Sequence, residues 1–206
     1  MSGLVVEDSA GQETEIPVDL TIATVPSFAL PRLVDLPEEY VSKLQGVDYE
    51  GAIAIIFVLK HRLSHIYWLN ITDPEIPFLL ALEQTNLVPP EEYGGKHIVY
   101  TANYVTRDDY RWGMEAEDIV REYIPHLKRI NPDFDESWIE SYYLHKEPAA
   151  QPIVTVNYME KMPPVKTPIR GLWLAAMSQV YPEDRGTNYS LRLAMDVARR
   201  AIVEME

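Results

Sequence analysis

The apolar run from Ala52 to Leu59 is the feature that most constrains the fold. It contains no charged or polar side chain and is rich in β-branched residues, so it is typical of a strand. It also lacks the alternation of apolar and polar residues found in strands that have one face in water. We therefore expect a strand buried on both faces, in a sheet that helices cover.

Further β-rich runs surround this strand. Residues 66–71, 78–82 and 97–104 are apolar or aromatic and are separated by proline and glycine, which predicts an antiparallel meander. Upstream, the β-rich runs at 3–8 and 16–25 predict a hairpin, because a polar turn with Gly11 separates them.

Helical periodicity appears in several segments. Residues 37–44 and 115–130 have acidic residues in the first turn, although Pro125 should kink or divide the second helix. We also expect a helix at 133–143, short strands at 153–158 and 172–175, and a last helix capped by Thr187. The last helix carries an apolar stripe made of Leu191, Ala194, Met195, Ala198, Ile202 and Met205. These elements predict an α+β fold with a mixed, largely antiparallel sheet covered by helices, forming a single domain over residues 1–206.

Composition excludes several classes of function. The 206 residues carry a net charge of −14, the wrong sign for binding phosphate backbones, so we expect no nucleic-acid partner. The absence of cysteine excludes disulfides, thiolate zinc sites and cysteine nucleophiles. No apolar run is long enough for a membrane span, and no signal peptide is evident. The sequence therefore predicts a cytoplasmic protein.

Common metal and nucleotide motifs are missing. His61 and His65 have the spacing of two zinc ligands, but Arg62 stands where a metalloprotease needs glutamate, so no metal site is predicted. Neither G-x-G-x-x-G nor a P-loop occurs, which leaves the chain without an autonomous dinucleotide site of the usual kind.

Aromatic residues gather in and beside the predicted strands. Packing in the core and at its rim is one interpretation, and an aromatic wall for a flat or apolar substrate is the other. The candidate substrate-binding residues are Tyr67, Trp68, Asn70, Glu83, Thr85, Asn86 and Tyr104. Glu83 ends an apolar strand, where burial would raise its pKa and suit proton transfer, although we prefer a structural acceptor there.

The segment from Gly171 to Ser190 predicts a strand, a charged turn and a capped helix. The small residues Ala175 and Ala176 would let a ligand approach the backbone, and free amides at 187–190 would suit an anion. The alternative is a plain strand-to-helix connection with a surface ion-pair cluster at 183–185.

This segment resembles the carboxyl-terminal part of flavin-dependent oxidoreductases of the amine oxidase, protoporphyrinogen oxidase and phytoene desaturase type. There a strand of the form G-L-x-L-A-G-D leads to a last helix whose amino end faces the flavin. Residues 19–26 are similar to the family's D-x-V-I-x-T-x-P strand, and 67–70 with 83–86 to its substrate-domain strands. In this chain Ala176 and Met177 replace the family's Gly-Asp.

The resemblance implies a substrate-binding and flavin-capping portion of an FAD-dependent oxidoreductase, inactive alone, whose amino-terminal dinucleotide-binding half is absent from this chain. FAD would belong to the complete protein and would not be bound by this chain alone. The amides of the last helix would stabilise negative charge at the flavin N1 and C2 carbonyl. The residues implied in cofactor binding are Ala176, Met177, Tyr181, Arg185, Gly186, Thr187, Asn188 and Tyr189. No catalytic residue is assigned.

The expected partner is the missing half, and an apolar docking surface left exposed without it should favour self-association. Two alternatives stay open. One is a non-catalytic binding or interaction module that retains the fold, favoured by the loss of Gly-Asp. The other is a portion of a flavin-dependent sugar mutase.

Overall fold

Contacts in the computed structural model, which describes residues 3–205, fall into two compact units. The terminal unit comprises residues 3–48 and 152–205, and the sheet unit comprises residues 49–151. Organisation of the whole chain as a single domain stays a prediction. The strands are β1 (Gly3–Glu7), β2 (Glu13–Pro17), β3 (Thr21–Ala23), β4 (Tyr49–Leu59), β5 (Trp68–Asn70), β6 (Leu80–Glu83), β7 (His97–Val105), β8 (Ile139–Pro152) and β9 (Leu172–Leu174). The α-helices are α1 (Glu38–Gln45), α2 (Ala116–Ile130), α3 (Tyr158–Lys161) and α4 (Thr187–Met205).

The sheet unit is built on a five-stranded sheet in the order β5-β6-β7-β4-β8. The antiparallel pairs β5–β6, β6–β7 and β4–β7 confirm the largely antiparallel sheet predicted from the sequence. The chain order differs from a simple meander, because β4 pairs with β7 along nine residues from Gly51 to Leu59 and not with β5.

One face of this sheet packs on α2. Ile53, Ile55 and Phe57 are fully buried against a helix face that includes Tyr123 and Leu127. The intervening residues of β4, from Ala52 to Val58, are only half-buried. Burial of this strand on both faces was therefore the wrong expectation: α2, the one α-helix described within residues 49–151, covers a single face.

Two helix predictions need correction. α2 continues through Pro125 and is not divided, because buried side chains on both sides of the proline hold it to the sheet. The helix predicted at 133–143 is not formed: a turn and a short 3-10 segment, Glu136–Trp138, lead into β8, which begins at Ile139 and joins the edge of the sheet beside β4. The strand predicted at 153–158 is likewise absent from the described structure, which has α3 beginning at Tyr158.

A buried ion pair fixes the turn between β7 and α2. Arg111 donates from Nε and Nη2 to the two carboxylate oxygens of Asp109 at 2.9 and 2.7 Å, and from Nη1 to the Pro77 carbonyl at 2.6 Å. Both side chains are largely buried, with 9% and 14% of their surfaces exposed. The hydrogen bond from Arg111 lowers the pKa of Asp109 below its usual value.

This pair should make the sheet unit sensitive to acid. Because the pKa of Asp109 is lower in the folded chain than its ordinary value of about 3.9, the pair stabilises the fold above that pH. The stabilisation is lost as the pH falls through the folded pKa. We expect Asp109→Asn to flatten the acid side of the stability–pH curve in urea titrations. An unchanged curve would contradict this role.

The terminal unit contains the β1–β2 hairpin and a separate two-stranded parallel sheet. The hairpin confirms the prediction, but the run 16–25 supplies two strands and not one: β2 ends at Pro17, and β3 pairs in parallel with β9. Leu172, Trp173 and Leu174 are all buried, Leu174 beside α1 and Trp173 beside α4. This burial on both faces is typical of parallel strands.

Helix α4 is confirmed, but its inward face differs from the predicted stripe. Val197 and Ala201 are buried against Trp173, with Leu193 partly buried beside them. The predicted stripe lies outward instead, with exposed fractions of 62% at Leu191, 48% at Met195 and 57% at Ile202. Within residues 3–205, no helix combines the length and the apolar character that crossing a bilayer requires.

Candidate functional site

The amino end of α4 presents free backbone donors. The Gly186 carbonyl accepts the first helical hydrogen bond, from the Ser190 amide at 2.9 Å, so Gly186 and not Thr187 takes the cap position. In the described part of the chain, the amides of Thr187, Asn188 and Tyr189 have no acceptor. Thr187 and Asn188 are exposed, and these donors can therefore meet a ligand.

Met177 lies against the first turn of this helix. Its sulfur accepts a hydrogen bond from Ser190 Oγ at 3.6 Å, and 37% of its surface is exposed. Ala176, the residue before it, is buried in the cluster that contains Leu174 and Tyr40. The end of β9 and the start of α4 are thus in contact, although an apolar thioether stands where a carboxylate would contribute charge.

The remaining predicted cofactor residues occupy two places. Tyr181 and Tyr189 line one cavity of about 320 Å³, together with Glu183 and Arg192. The Arg192 guanidinium lies 4.9 Å from the Tyr189 ring centre and pairs with Glu183, whose pKa is lowered by that bond. Arg185 is half-buried in the turn before the helix and does not line this cavity.

The second face of the five-stranded sheet is an open, mostly apolar surface. The register places Trp68, Leu82, Tyr100 and Ile56 in one row across four strands. A second row contains Asn70, Leu80, Ala102 and Ala54, and Tyr104 lies opposite Ala52. We call these ten residues the open face.

The open face brings together three of the predicted substrate-binding residues. Trp68 and Tyr104 are exposed to 52% and 42%, and the indole Nε1 of Trp68 donates to Asn70 Oδ1 at 2.9 Å. Large aromatic surfaces with few polar groups suit a flat or apolar ligand. Their part in substrate binding stays a prediction.

Glu83 lies on the opposite, buried face, with only 2% of its surface exposed. Its two oxygens accept the Leu63 amide at 3.3 Å and the Ser64 amide at 2.6 Å. Burial raises the pKa of its carboxyl, as expected, and outweighs the opposing effects of those amides and of Arg62. Both oxygens therefore hold a loop in place, which agrees with the structural role preferred for Glu83 over proton transfer.

The other three predicted substrate residues surround the same region. Asn86 Nδ2 donates to the Ser64 carbonyl at 2.8 Å, and the Tyr67 carbonyl accepts the Glu83 amide at 2.9 Å. Thr85 Oγ1 accepts the Ile98 amide at 3.3 Å and is buried. The structure thus separates Glu83, Thr85 and Asn86 from the open face.

No metal centre is found among residues 3–205, because no three His, Asp or Glu side chains there lie close enough together to hold an ion. His61 packs edge-on against the Trp138 ring at 5.0 Å, and His65 lines a different part of the surface.

Comparison with known proteins identifies the fold. No protein-family model and no curated protein matches the sequence. The structure is similar to a protein assigned as a protoporphyrinogen oxidase, from Exiguobacterium sp. 255-15, with a TM-score of 0.65 and 11% identity. An oxidoreductase from Methanosarcina mazei gives a TM-score of 0.66 at 17% identity, and a reduced UDP-galactopyranose mutase gives 0.58 at 16%.

The fold shared with these structures is a mixed α+β fold. The match covers 97%, 96% and 77% of this chain, but only 46%, 48% and 34% of the respective structures. The chain therefore spans less than half of the length of each structure it resembles.

The residues present fit one end of a flavin. Free amides at the start of α4 are donors for the carbonyl and nitrogen acceptors of the pyrimidine edge. Ser178 Oγ, in the turn before the helix, is buried and has no partner among the described residues. The Gly-rich loop that would hold the phosphates is absent from this sequence.

Several residues of the open face were missed in the sequence, among them Leu80, Leu82 and Ala102. The available signal was the two-residue period of β6, in which Leu80 and Leu82 alternate with Ala81 and Glu83. That alternation places the leucines on one face and the carboxylate on the other.

Proposed function

We propose that this chain is the carboxyl-terminal, substrate- and flavin-facing portion of an FAD-dependent oxidoreductase. The observation that carries the proposal is the parallel pair β3–β9, followed after the connection 175–186 by α4, whose amino end offers unpaired amides. Its presence in a fold shared with an oxidase and an oxidoreductase supports the same conclusion.

Each unit has its own part in the proposed function. FAD, when bound, supplies the hydride chemistry. The amides of Thr187, Asn188 and Tyr189 stabilise negative charge at the pyrimidine edge, because a helix amino end is electropositive. The open face provides an apolar and aromatic wall for the substrate, oriented by few polar groups such as Asn70.

The free edge of β3 supports a missing half. Thr21 and Ala23 bond towards β9, through the Gly171 carbonyl and the Ala175 amide, both at 2.8 Å. The peptide groups of Ile22 therefore face the other edge, with which no strand pairs within residues 3–205. All-parallel sheets occur almost only in α/β proteins with helices on both faces, and an added parallel strand at this edge would extend the sheet in that way.

The exposed apolar stripe of α4 also supports a missing half. Leu191, Met195 and Ile202 form a row of large apolar side chains on one side of the helix, and such patches on soluble proteins mark interfaces. The proposed occupant is a dinucleotide-binding half, because it would contribute parallel strands and because more than half of each matched structure lies outside the match.

Without that half, the isolated chain should self-associate through the α4 stripe. Replacing both Leu191 and Ile202 with glutamine should weaken association by about tenfold or more, measured by light scattering across a concentration series. Leu87→Gln is the matched control, because Leu87 is as exposed as Leu191, 64% against 62%, but belongs to the sheet unit. A strictly monomeric wild-type chain would count against an unfilled docking surface.

A non-catalytic module is the second candidate, favoured by Met177. Its thioether accepts a hydrogen bond from Ser190 in the first turn of α4. The flavin-dependent oxidoreductases that this segment resembles have an aspartate at the corresponding position. The sugar-mutase alternative ranks lower, because the mutase match covers 77% of the chain, against 96–97% for the two oxidoreductase matches.

The reading frame around the coding sequence distinguishes the two leading candidates. An upstream in-frame segment that encodes a strand, G-x-G-x-x-G and a helix supports the oxidoreductase. A frame that encodes no such segment, with no neighbouring gene that supplies one, favours the module.

A further inference from the structure

A second hollow lies in the sheet unit, between the loop at residues 62–66, the segment 69–76 and the end of α2, and it reaches Asn70 at the margin of the open face. It has a volume of about 760 Å³, within the range of small-molecule sites. Aliphatic side chains line its inner part, including Leu69, Ile71, Ile76 and Ile130, all of which pack against the buried core. Its rim includes Arg62 and Ser64 from the loop at residues 62–66, which follows β4.

Buried polar groups fix this loop in place. The Leu63 and Ser64 amides donate to the Glu83 carboxylate, and Asn131 Nδ2 donates to the Leu63 carbonyl at 3.0 Å. Asn86 Nδ2 likewise donates to the Ser64 carbonyl. Burying a carboxyl group is costly unless its hydrogen bonds are satisfied, and here the loop amides satisfy them. These hydrogen bonds therefore hold the loop in one conformation.

The loop presents one unpaired cation. Arg62 is exposed, and no ion pair or hydrogen bond of its guanidinium is found among residues 3–205. Arg129, also at the hollow, is already bound to Asp73 and Glu75 and cannot serve as an anion receptor without breaking those pairs. Arg62 lowers the pKa of Glu83 through space but forms no ion pair with it, so its guanidinium can still bind an anion beside the aliphatic hollow.

We propose that this hollow binds an aliphatic monocarboxylate, with the carboxylate on Arg62 and the hydrocarbon chain against the isoleucine and leucine side chains. Arginine pairs well with carboxylates, and the aliphatic lining suits a chain of methylene groups. This site is independent of the proposed flavin chemistry.

Isothermal titration calorimetry with decanoate tests the site on the full chain. We expect saturable one-to-one binding that Arg62→Gln weakens by about tenfold or more, since hydrogen bonds to charged groups are strong. The matched control is Arg107→Gln, which removes the same charge from an exposed position of the sheet unit and should leave the affinity unchanged. Decan-1-ol, which lacks the charge, should bind both variants equally.

Two results would overturn the proposal: no saturable binding of decanoate, or equal affinity in the wild type and Arg62→Gln. The second result would place the ligand on another apolar surface, such as the α4 stripe. Arg62 and Arg107 are surface residues, so neither substitution should unfold the chain. Thermal melting of both variants checks that each is folded.

Discussion

Replacing Arg111 with methionine is expected to lower the free energy of unfolding by about 3–5 kcal/mol, as when one partner of a buried ion pair is removed. The change leaves the Asp109 carboxylate largely buried without its counter-ion. It also removes one of the two donors to the Pro77 carbonyl, the other being Asn103 Nδ2 at 3.2 Å. Urea denaturation followed by circular dichroism measures the effect.

The matched control is Arg121→Met in α2. Arg121 bonds to Glu117 and Asp118, but its side chain is 66% exposed and solvent screens both pairs. Its loss should cost less than about 1 kcal/mol. Equal effects of the two substitutions would show that burial does not distinguish these pairs.

Replacing Gly51 with alanine is the second large effect. A methyl group there would lie 2.7 Å from Trp112 Cη2 and 3.1 Å from the Glu147 carbonyl. The indole cannot move away freely, because its Nε1 donates to the Thr106 carbonyl at 2.7 Å. Overpacking of this kind costs about 1–3 kcal/mol.

Thermal or urea unfolding of Gly51→Ala should show this loss. Gly113→Ala serves as the control, because nothing lies within 4 Å of a methyl group at that position. If both variants unfold alike, close packing of Trp112 on β4 is not a determinant of stability.

Prediction from sequence succeeded where periodicity was simple. β4 to β7, α1, α2 and α4 were recognisable because each has a distinct run or repeat of apolar residues bounded by proline, glycine or charged residues. The segment 133–143 was misjudged because Trp138, Ile139 and Tyr142 also fit helical spacing. Pairing beside β4 decides that conformation, and a local pattern contains no information on partners.

The orientation of α4 shows a second limit. The helix has two apolar rows, one through Leu193, Val197 and Ala201, and one through Leu191, Met195 and Ile202. The row with larger side chains was expected to pack inward. Small residues allow closer contact with Trp173, and the row with larger side chains is exposed.

The candidate site was only partly readable. The amides at the start of α4 followed from the order of strand, turn and helix, whereas Glu83 required the register of β6 to be placed on the buried face. The role of Arg62 depends on distant residues, Glu83, Asn86 and Asn131, that fix its loop. No local pattern links those positions.

The most direct test is the flavin content of the native protein that contains this chain. Isolated from its source cells, it should show the absorption spectrum of a bound flavin at one per chain, within a longer polypeptide or with a partner carrying G-x-G-x-x-G. A colourless native protein that neither contains nor binds such a segment would contradict the proposed oxidoreductase.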